Sequence, residues 1–316
     1  MWPIQFHCLS DMSQQSLISR IVRSLSRRFV RQMGKWRVFP PLLTSRLLYR
    51  IKIGRFPDMR NPRDLNDVVM ALQFGTDTRL WSELSDKWAV RDFVARRLGP
   101  DALVPLYQVA DSVDEIDFYS LPDSFVIKTT DGYAKTLIVA DKSKADIEAI
   151  RRRLRRWMRE RLVGDEPHYL RIRRRIIIEK LLPGRDGYAP ADYKFFCCDG
   201  EPLFCQTSGH RDMVTFNSDF NVYRVPEWTD TGGVVPECVC AAGTPRPASL
   251  ETMMEYARRL SEGFPLVRVD LYEVEGKVLF GEMTFTTAAG RTDVFRPGLM
   301  REIASHVTMP PLDFSN

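Results

Sequence analysis

The sequence predicts an α+β protein with a helical N-terminal region, and two observations carry that reading. Apolar residues recur at helical spacing up to about residue 100, after which the period shortens to the alternation of strands. Beyond that point, short β-branched or aromatic runs are joined by tight turns such as Asp199-Gly200 and Glu275-Gly276. The 316 residues are 44% hydrophobic and 28% charged, enough apolar material for two or three lobes with cores of their own.

Residues 1–15 are expected to be a loose polar start to a basic helical region spanning 1–60. Ile18, Ile21, Val22, Leu25 and Phe29 follow at helical spacing, with Arg20, Arg23, Arg27, Arg28 and Arg31 between them, in a helical stretch drawn from residue 17 to 55. Such a helix either packs on the body with its arginines in water or leans on anionic lipid or a polyanionic acceptor. A second region, 61–115, starts with a helix opened by Pro62. Another helix is expected over 85–98, stopped by Gly99-Pro100, and a strand over 103–109.

A central lobe, 116–182, holds the strands 125–128 and 137–139 around a polar loop, 129–136. The helix 144–162 carries the run Arg151-Arg152-Arg153-Leu154-Arg155-Arg156. That run reads as a solvated face or as a surface for phosphate or polyanion. Ile176-Ile177-Ile178 is a buried strand that leads into Glu179-Lys180-Leu181-Leu182 and a turn at Pro183-Gly184. The C-terminal lobe, 183–316, opens on a hairpin of strands 192–198 and 202–207. Residues 226–247 read as a surface loop. A helix over 249–262 is expected to be capped by Ser249 and ended by Gly263, before the strands 266–274 and 278–285. There is no internal repeat.

The charge excess, 46 basic against 41 acidic residues, suits an anionic ligand such as a nucleotide and does not call for nucleic acid. Cys8, Cys197, Cys198, Cys205, Cys238 and Cys240 lack the C-x-x-C spacing of a zinc site and read as reduced thiols. With no signal pattern at the N-terminus and no apolar run long enough for a membrane span, a cytoplasmic protein is expected.

The sharpest local pattern is Arg268-Val269-Asp270, a turn, and then Glu282-Met283-Thr284. Strand alternation puts Arg268, Asp270 and Tyr272 on one face, and Glu282 shares a face with Thr284. If the turn is at Glu275-Gly276, Glu282 falls near Asp270, and two carboxylates meet one guanidinium. A hard dication explains such carboxylates; a cross-strand salt bridge on an exposed face is the alternative. Lys128 ends an apolar strand before Thr129-Thr130-Asp131-Gly132, whose backbone donors could cover phosphates. The backbone of 179–182 could pair with an adenine edge, and Asp86-Lys87 brings a second ammonium.

In this order the residues resemble ATP-grasp enzymes such as D-alanine–D-alanine ligase. The stretches LSDKWAVRDFV, FVIKTTDG, DYKFFCCDGEP and GFPLVRVDLYEVEGKVLFGEMTFT are similar to the TupA-like ATP-grasp family of teichuronopeptide and surface-polysaccharide biosynthesis. The likeness runs from about residue 47 to 295. It implies an ATP-grasp fold, with the nucleotide held between two α+β lobes, and ATP and Mg²⁺ as cofactors. Lys87, Lys128 and Lys194 would meet the phosphates, Glu179 the adenine amino group, the backbone of Lys180 and Leu182 the ring edge, and Asp192 the ribose. Asp270 and Glu282 would hold the metal, and Arg268 with Lys128 would act in catalysis.

The implied reaction is ADP-forming ligation of a carboxylate, small or glycan-linked, to an amine. A hydroxyl acceptor and a catalytically weak ATP-binding protein stand as alternatives, and peripheral contact with membrane or anionic polysaccharide goes with the basic segments. Two loops depart from the family pattern. Thr129-Thr130-Asp131-Gly132-Tyr133-Ala134 stands where Thr-Asn-His-Gly-Ser-Gly is common, and Thr286-Thr287-Ala288-Ala289-Gly290 stands for Thr-Pro-Gly-Ser-Gly. Thr284 takes the position of an asparagine frequent in other ATP-grasp enzymes.

Overall fold

The computed structural model describes residues 7–132, 135–184, 190–208, 220–225 and 246–315, leaving aside the side chains of 7–18, 208, 220 and 221. The expected loop 226–247 therefore lies almost wholly outside the described residues, as do Tyr133, Ala134, Cys238, Cys240 and the side chain of Cys8.

Helix α1 (His7–Lys35) starts inside the stretch expected to be loose; no glycine or proline falls between His7 and Met33 to stop it. The helical stretch then breaks, because Pro40-Pro41 cannot continue a ladder, and α2 (Pro41–Ile53) begins with proline in its first turn. Among the described side chains of α1, Val30 packs in a small cluster with Leu48 and Val163. Ile21, Val22, Leu25 and Phe29 stay between 48 and 58% exposed. Helix α3 (Leu65–Gly75) opens at Asp64, whose carboxylate accepts from the Asp67 N–H at 3.1 Å, rather than at Pro62.

Helix α4 (Arg79–Ser85) ends where a helix was expected to begin at 85, and α5 (Val90–Leu98) forms only the later part of the expected 85–98. The break is chemical: Asp86 Oδ1 accepts from the N–H groups of Trp88 (2.9 Å) and Ala89 (3.2 Å), closing a turn that leads into α5. Lys87 sits in this break.

The central sheet has the order β1 (Leu106–Ala110), β4 (Ile176–Lys180), β2 (Phe125–Thr129), β3 (Thr136–Val139), all antiparallel. Alternation divides its faces. Phe125, Ile127, Ile176 and Ile178 join Ile150, Leu154 and Trp157 of α6 (Ile147–Arg159) in one core. The opposite face carries Val126 and Lys128 on β2, and Ile177 and Glu179 on β4.

The second sheet runs β7 (Phe220–Arg224), β6 (Glu201–Ser208), β5 (Asp192–Cys198), β8 (Leu266–Val274), β9 (Lys277–Thr284), again antiparallel. One face, including Phe195, Val267, Val269 and Leu271, packs on α7 (Leu250–Ser261) in the main core, which also takes in α3 to α5 and α8 (Pro297–Ser305). Ser249 makes no side-chain cap for α7; its backbone N–H instead donates to Glu273 Oε1 at 2.7 Å. Cys197, Cys198 and Cys205 are buried free thiols. Val104, Val274 and Leu279, with Leu182 and Tyr272 against them, form an apolar contact between the two sheets' regions.

Candidate active site

The polar face of the second sheet is assembled by register. Lys194 lies opposite Asp270, and Asp270 lies opposite Glu282, across three adjacent strands. Simple alternation along β9 would not achieve this. Leu271 pairs with Phe280 and Asp270 with Glu282, so Gly281 is an extra residue that turns Glu282 onto the face of Asp270. A Cβ at Gly281 would lie 3.0 Å from the Asp270 carbonyl oxygen and 3.0 Å from the Tyr272 ring. Only glycine lets the strands approach this closely without displacement.

The side chains interlock. Arg268 Nε and Nη2 donate to Asp270 Oδ1 (2.6 Å) and Oδ2 (2.7 Å), and Nη2 also reaches Glu282 Oε1 (3.0 Å) and Thr284 Oγ1 (3.1 Å). Lys194 Nζ bridges Asp192 and Asp270, the latter at 2.8 Å. Burial alone would raise the Asp270 carboxyl, but Arg268 and Lys194 outweigh it and hold the group below the usual range. Burial and the nearby Asp270 push Asp192 the other way, against Lys194. Three carboxylates against two cations leave this cluster formally one negative charge in excess.

Two features of the cluster address a bound group. Asp192 Oδ1 is buried with no hydrogen-bond partner, an acceptor that a ligand hydroxyl would satisfy. Glu282, at 40% side-chain exposure, spends its Oε1 on Arg268 and Thr284, and no partner for its Oε2 is seen among the described residues. An all-oxygen donor set with residual negative charge suits a hard cation such as Mg²⁺ completed by phosphate oxygens. Among the described residues, no group of three His, Cys, Asp or Glu side chains forms a self-sufficient metal cage.

The first sheet supplies a second cluster. Lys128 Nζ donates to Glu179 Oε2 at 2.9 Å, and Arg91 Nη1 to Glu179 Oε1 at 3.1 Å. Both oxygens of Glu179 are thus engaged by cations within the protein. Sequence reasoning missed Arg91, although it stands one helical turn past Lys87 in the same quoted stretch. The Lys180 N–H is also taken, by the Pro105 carbonyl at 2.9 Å; Leu181 and Leu182 lie beyond the strand.

Lys87 joins the clusters. Its N–H donates to the Thr130 carbonyl (3.2 Å) and its ammonium to the Gly132 carbonyl (2.7 Å), tying the α4–α5 break to the loop after β2. Burial lowers its pKa, opposed first by Glu282 and then, against a further lowering from Lys128, by Asp131 and Glu179. Lys87 therefore stands in the fields of both sheets' polar faces. Asp131 does not project its charge at a ligand: it is buried, with Arg174 Nη2 donating to Oδ2 at 2.6 Å. After β9, Ala288 (φ 48°) and Ala289 (φ 54°) both adopt left-handed backbone where glycine is the easy occupant.

A model of the TupA-like ATP-grasp family matches residues 69–303. The chain belongs to the TupA-like ATP-grasp family. ATP binding comes with that membership, and this TupA-like chain is an ATP-grasp enzyme. No protein of curated function matches it in sequence. Among solved structures it is similar to D-alanine–D-alanine ligase from Helicobacter pylori, at 13% identity and TM-score 0.41, over 79% of this chain and 68% of that one. It is also similar to the Bacillus anthracis D-alanine–D-alanine ligase solved with ATP, at 14% identity and TM-score 0.42, over 73% and 64% of the two chains. A third is L-amino acid ligase from Bacillus licheniformis, at 11% identity and TM-score 0.43, over 68% of this chain and 44% of that one. Among the described residues of the TupA-like chain, no helix is long and apolar enough to cross a membrane.

Proposed function

We propose that the protein is an ADP-forming carboxylate–amine ligase that works through an acyl phosphate, in the making of a surface polysaccharide or peptide-like conjugate. The observation that carries this reading is the register that brings Lys194, Asp270, Glu282 and Arg268 together on one sheet face. Family membership supports ATP as the phosphoryl donor.

In this reading Lys87, Lys128 and Lys194 bind the phosphates, and the unpartnered Asp192 Oδ1 accepts from the ribose. Glu179 holds Lys128 in place from the side of Arg91; that contact competes with the adenine-binding role the resemblance implies. The backbone of Lys180 and Leu182 would receive the base edge, and the apolar contact of Leu182 with Val104 and Leu279 supports that reading. Asp270 and Glu282 hold Mg²⁺, which when bound neutralises phosphate charge and orients the transferred group. Arg268, already fixed by two hydrogen bonds to Asp270, stabilises charge building on the acyl phosphate and on its adduct with the amine. Because the cations are positioned in advance by carboxylates, little reorganisation is left for the chemical step.

The exposed apolar residues of α1 with arginines between them support a peripheral contact with membrane or an anionic polymer. The test is ADP release by purified protein with Mg-ATP across amino-acid and uronic-acid mixtures, with products identified by mass. ADP, free phosphate and an amide are expected. A stable phosphoester would replace the ligase with a kinase, and ATP binding without turnover on any mixture would overturn the enzymatic reading.

A further inference from the structure

The positive charge of the chain is concentrated near its start. Residues 12–57 hold eleven of the 46 basic residues and none of the 41 acidic ones, so the remainder, with 35 basic against 41 acidic, is net negative. Exposed apolar surface is concentrated in the same place. Eight of the fourteen large apolar side chains that stay exposed among the described residues lie between 21 and 56, so one stretch carries both features. Scattered exposed apolar residues need no explanation, but a cluster of them inside a basic segment does.

Helix α1 sorts the two features onto different sides. At 3.6 residues per turn, Ile21, Val22, Leu25 and Phe29 share an arc of about 100°, and Arg20, Arg23, Arg27, Arg28 and Arg31 all fall outside it. Val30, which packs on Leu48 and Val163, points about 130° from the middle of that arc, so the apolar side faces away from the body. Among the described residues Arg20, Arg23, Arg27 and Arg28 are exposed and make no ion pair, Arg23 bonding only to Ser19 one turn back. Basic side chains nearer the body do find partners: Lys35 pairs with Glu160 at 3.4 Å, Lys52 with Asp293 at 2.8 Å and Arg55 with Asp64 at 2.6 Å. The unpaired charge therefore sits on the part of α1 that the body leaves uncovered. The turn after α1 adds Trp36 and Val38, both exposed.

We propose that α1 lies in the headgroup layer of an anionic lipid bilayer, with Ile21, Val22, Leu25 and Phe29 in the acyl boundary and its arginines on lipid phosphates. The pairing of the two features selects this occupant. An acidic polymer would satisfy the arginines and leave the apolar arc in water. A second copy of the chain, meeting it through the same face, would set like charges against each other. Anionic headgroups above hydrocarbon take both, and an apolar stripe bordered by arginines suits a helix lying in that interface. The net negative remainder of the chain is repelled by the same surface, which turns the molecule with α1 towards the lipid. The inference rests on the peripheral contact proposed above and commits it to lipid; it is independent of the reaction catalysed.

Flotation of the full chain with vesicles tests the proposal. Binding is expected to vesicles of equal parts phosphatidylcholine and phosphatidylglycerol, falling as salt rises, and at least tenfold weaker to phosphatidylcholine alone. Replacing Arg20, Arg23, Arg27 and Arg28 together by glutamine should cost at least a hundredfold, at about fivefold per arginine. Ile21→Ser with Leu25→Ser should weaken vesicle binding at least tenfold and leave binding to poly-L-glutamate, a polyanion without lipid, unchanged. Leu25→Trp should strengthen vesicle binding, a gain that no loss of fold can imitate. Absence of binding to the anionic vesicles overturns the proposal, and so does vesicle binding indifferent to the paired serine substitutions. Binding to poly-L-glutamate but not to vesicles would keep the contact with an anionic polymer and remove the lipid. Failure to form an amide from Mg-ATP would remove the ligase reading and leave the vesicle result untouched.

Discussion

Asp270→Asn and Glu282→Gln should abolish turnover alike but should not cost the same stability. Asp270 is 2% exposed and accepts three hydrogen bonds from two cations, Arg268 and Lys194. Removing its charge leaves those cations partly uncompensated. Breaking a buried pair from one side costs about 3–5 kcal/mol. Arg268 keeps Glu282 at 3.0 Å and Lys194 keeps Asp192, so the lower end, about 3 kcal/mol, is expected for Asp270→Asn. Glu282 is 40% exposed and gives one oxygen to Arg268, a bond that the amide of glutamine retains in neutral form. Its replacement should cost at most about 1 kcal/mol.

If both carboxylates hold the metal, each variant should lose roughly 1000-fold in turnover, about 4 kcal/mol of transition-state stabilisation. Urea unfolding without nucleotide or metal gives the stabilities, and a Mg²⁺ titration of ADP release gives the activities. Equal destabilisation by the two variants would contradict the difference in burial argued above. A Glu282→Gln protein with more than a tenth of wild-type turnover would remove Glu282 from the metal.

Lys128→Ala should weaken ATP binding by about 1.5–3 kcal/mol, roughly 10- to 100-fold by calorimetry, and ATP should raise the wild-type Tm only with Mg²⁺ present; unchanged affinity would return Lys128 to a purely structural partner of Glu179. Glu166 faces Asp165, Arg291, Arg31, Tyr169 and Thr286, and its pKa of about 7 lies above the ordinary 4.5. The folded state therefore holds a proton that the unfolded state has lost between those values, and stability should fall as pH rises from about 4.5 through about 7. Glu166→Gln should remove that fall, with a urea stability up to about 3 kcal/mol above wild type at pH 8 and little difference near pH 4.5; identical pH slopes would refute it. Arg152 and Arg155 are 66 and 42% exposed, the latter paired with Asp114 at 2.7 Å. Reversing both to glutamate should flatten the salt dependence of kcat/KM for a polyanionic acceptor, and the same dependence in both proteins would exclude them from its capture.

The polar strand face was legible in part: a period of two puts Arg268 and Asp270 on one face, and the Glu275-Gly276 turn brings Glu282 to within one residue of Asp270 along the neighbouring strand. The extra residue at Gly281 was not, since alternation alone cannot tell which strand face a bulge will choose. The break at 86–89 hid behind continuous helical spacing; its one local signal was Asp86, an acid able to cap the Trp88 and Ala89 amides. Asp131 stands in the loop expected to cover phosphates, and only the tertiary position of Arg174, 43 residues further on, turns its charge inward. The apolar positions of α1 announced a helix correctly but gave no sign that most would stay uncovered.

The contact between Lys87 and the Gly132 carbonyl places one ammonium under two competing demands. A peptide oxygen holds it at 2.7 Å, and in the proposed function a nucleotide phosphate claims it as well. Apparent affinity then equals intrinsic affinity multiplied by the fraction of molecules in which that ammonium has let go. Any change that weakens the carbonyl's hold, at Gly132 or in the short Asp86 turn, would tighten nucleotide binding without touching the nucleotide. In the proposed function, the few residues between α4 and α5 would thus act as a gain setting for a site whose chemistry is built on other strands.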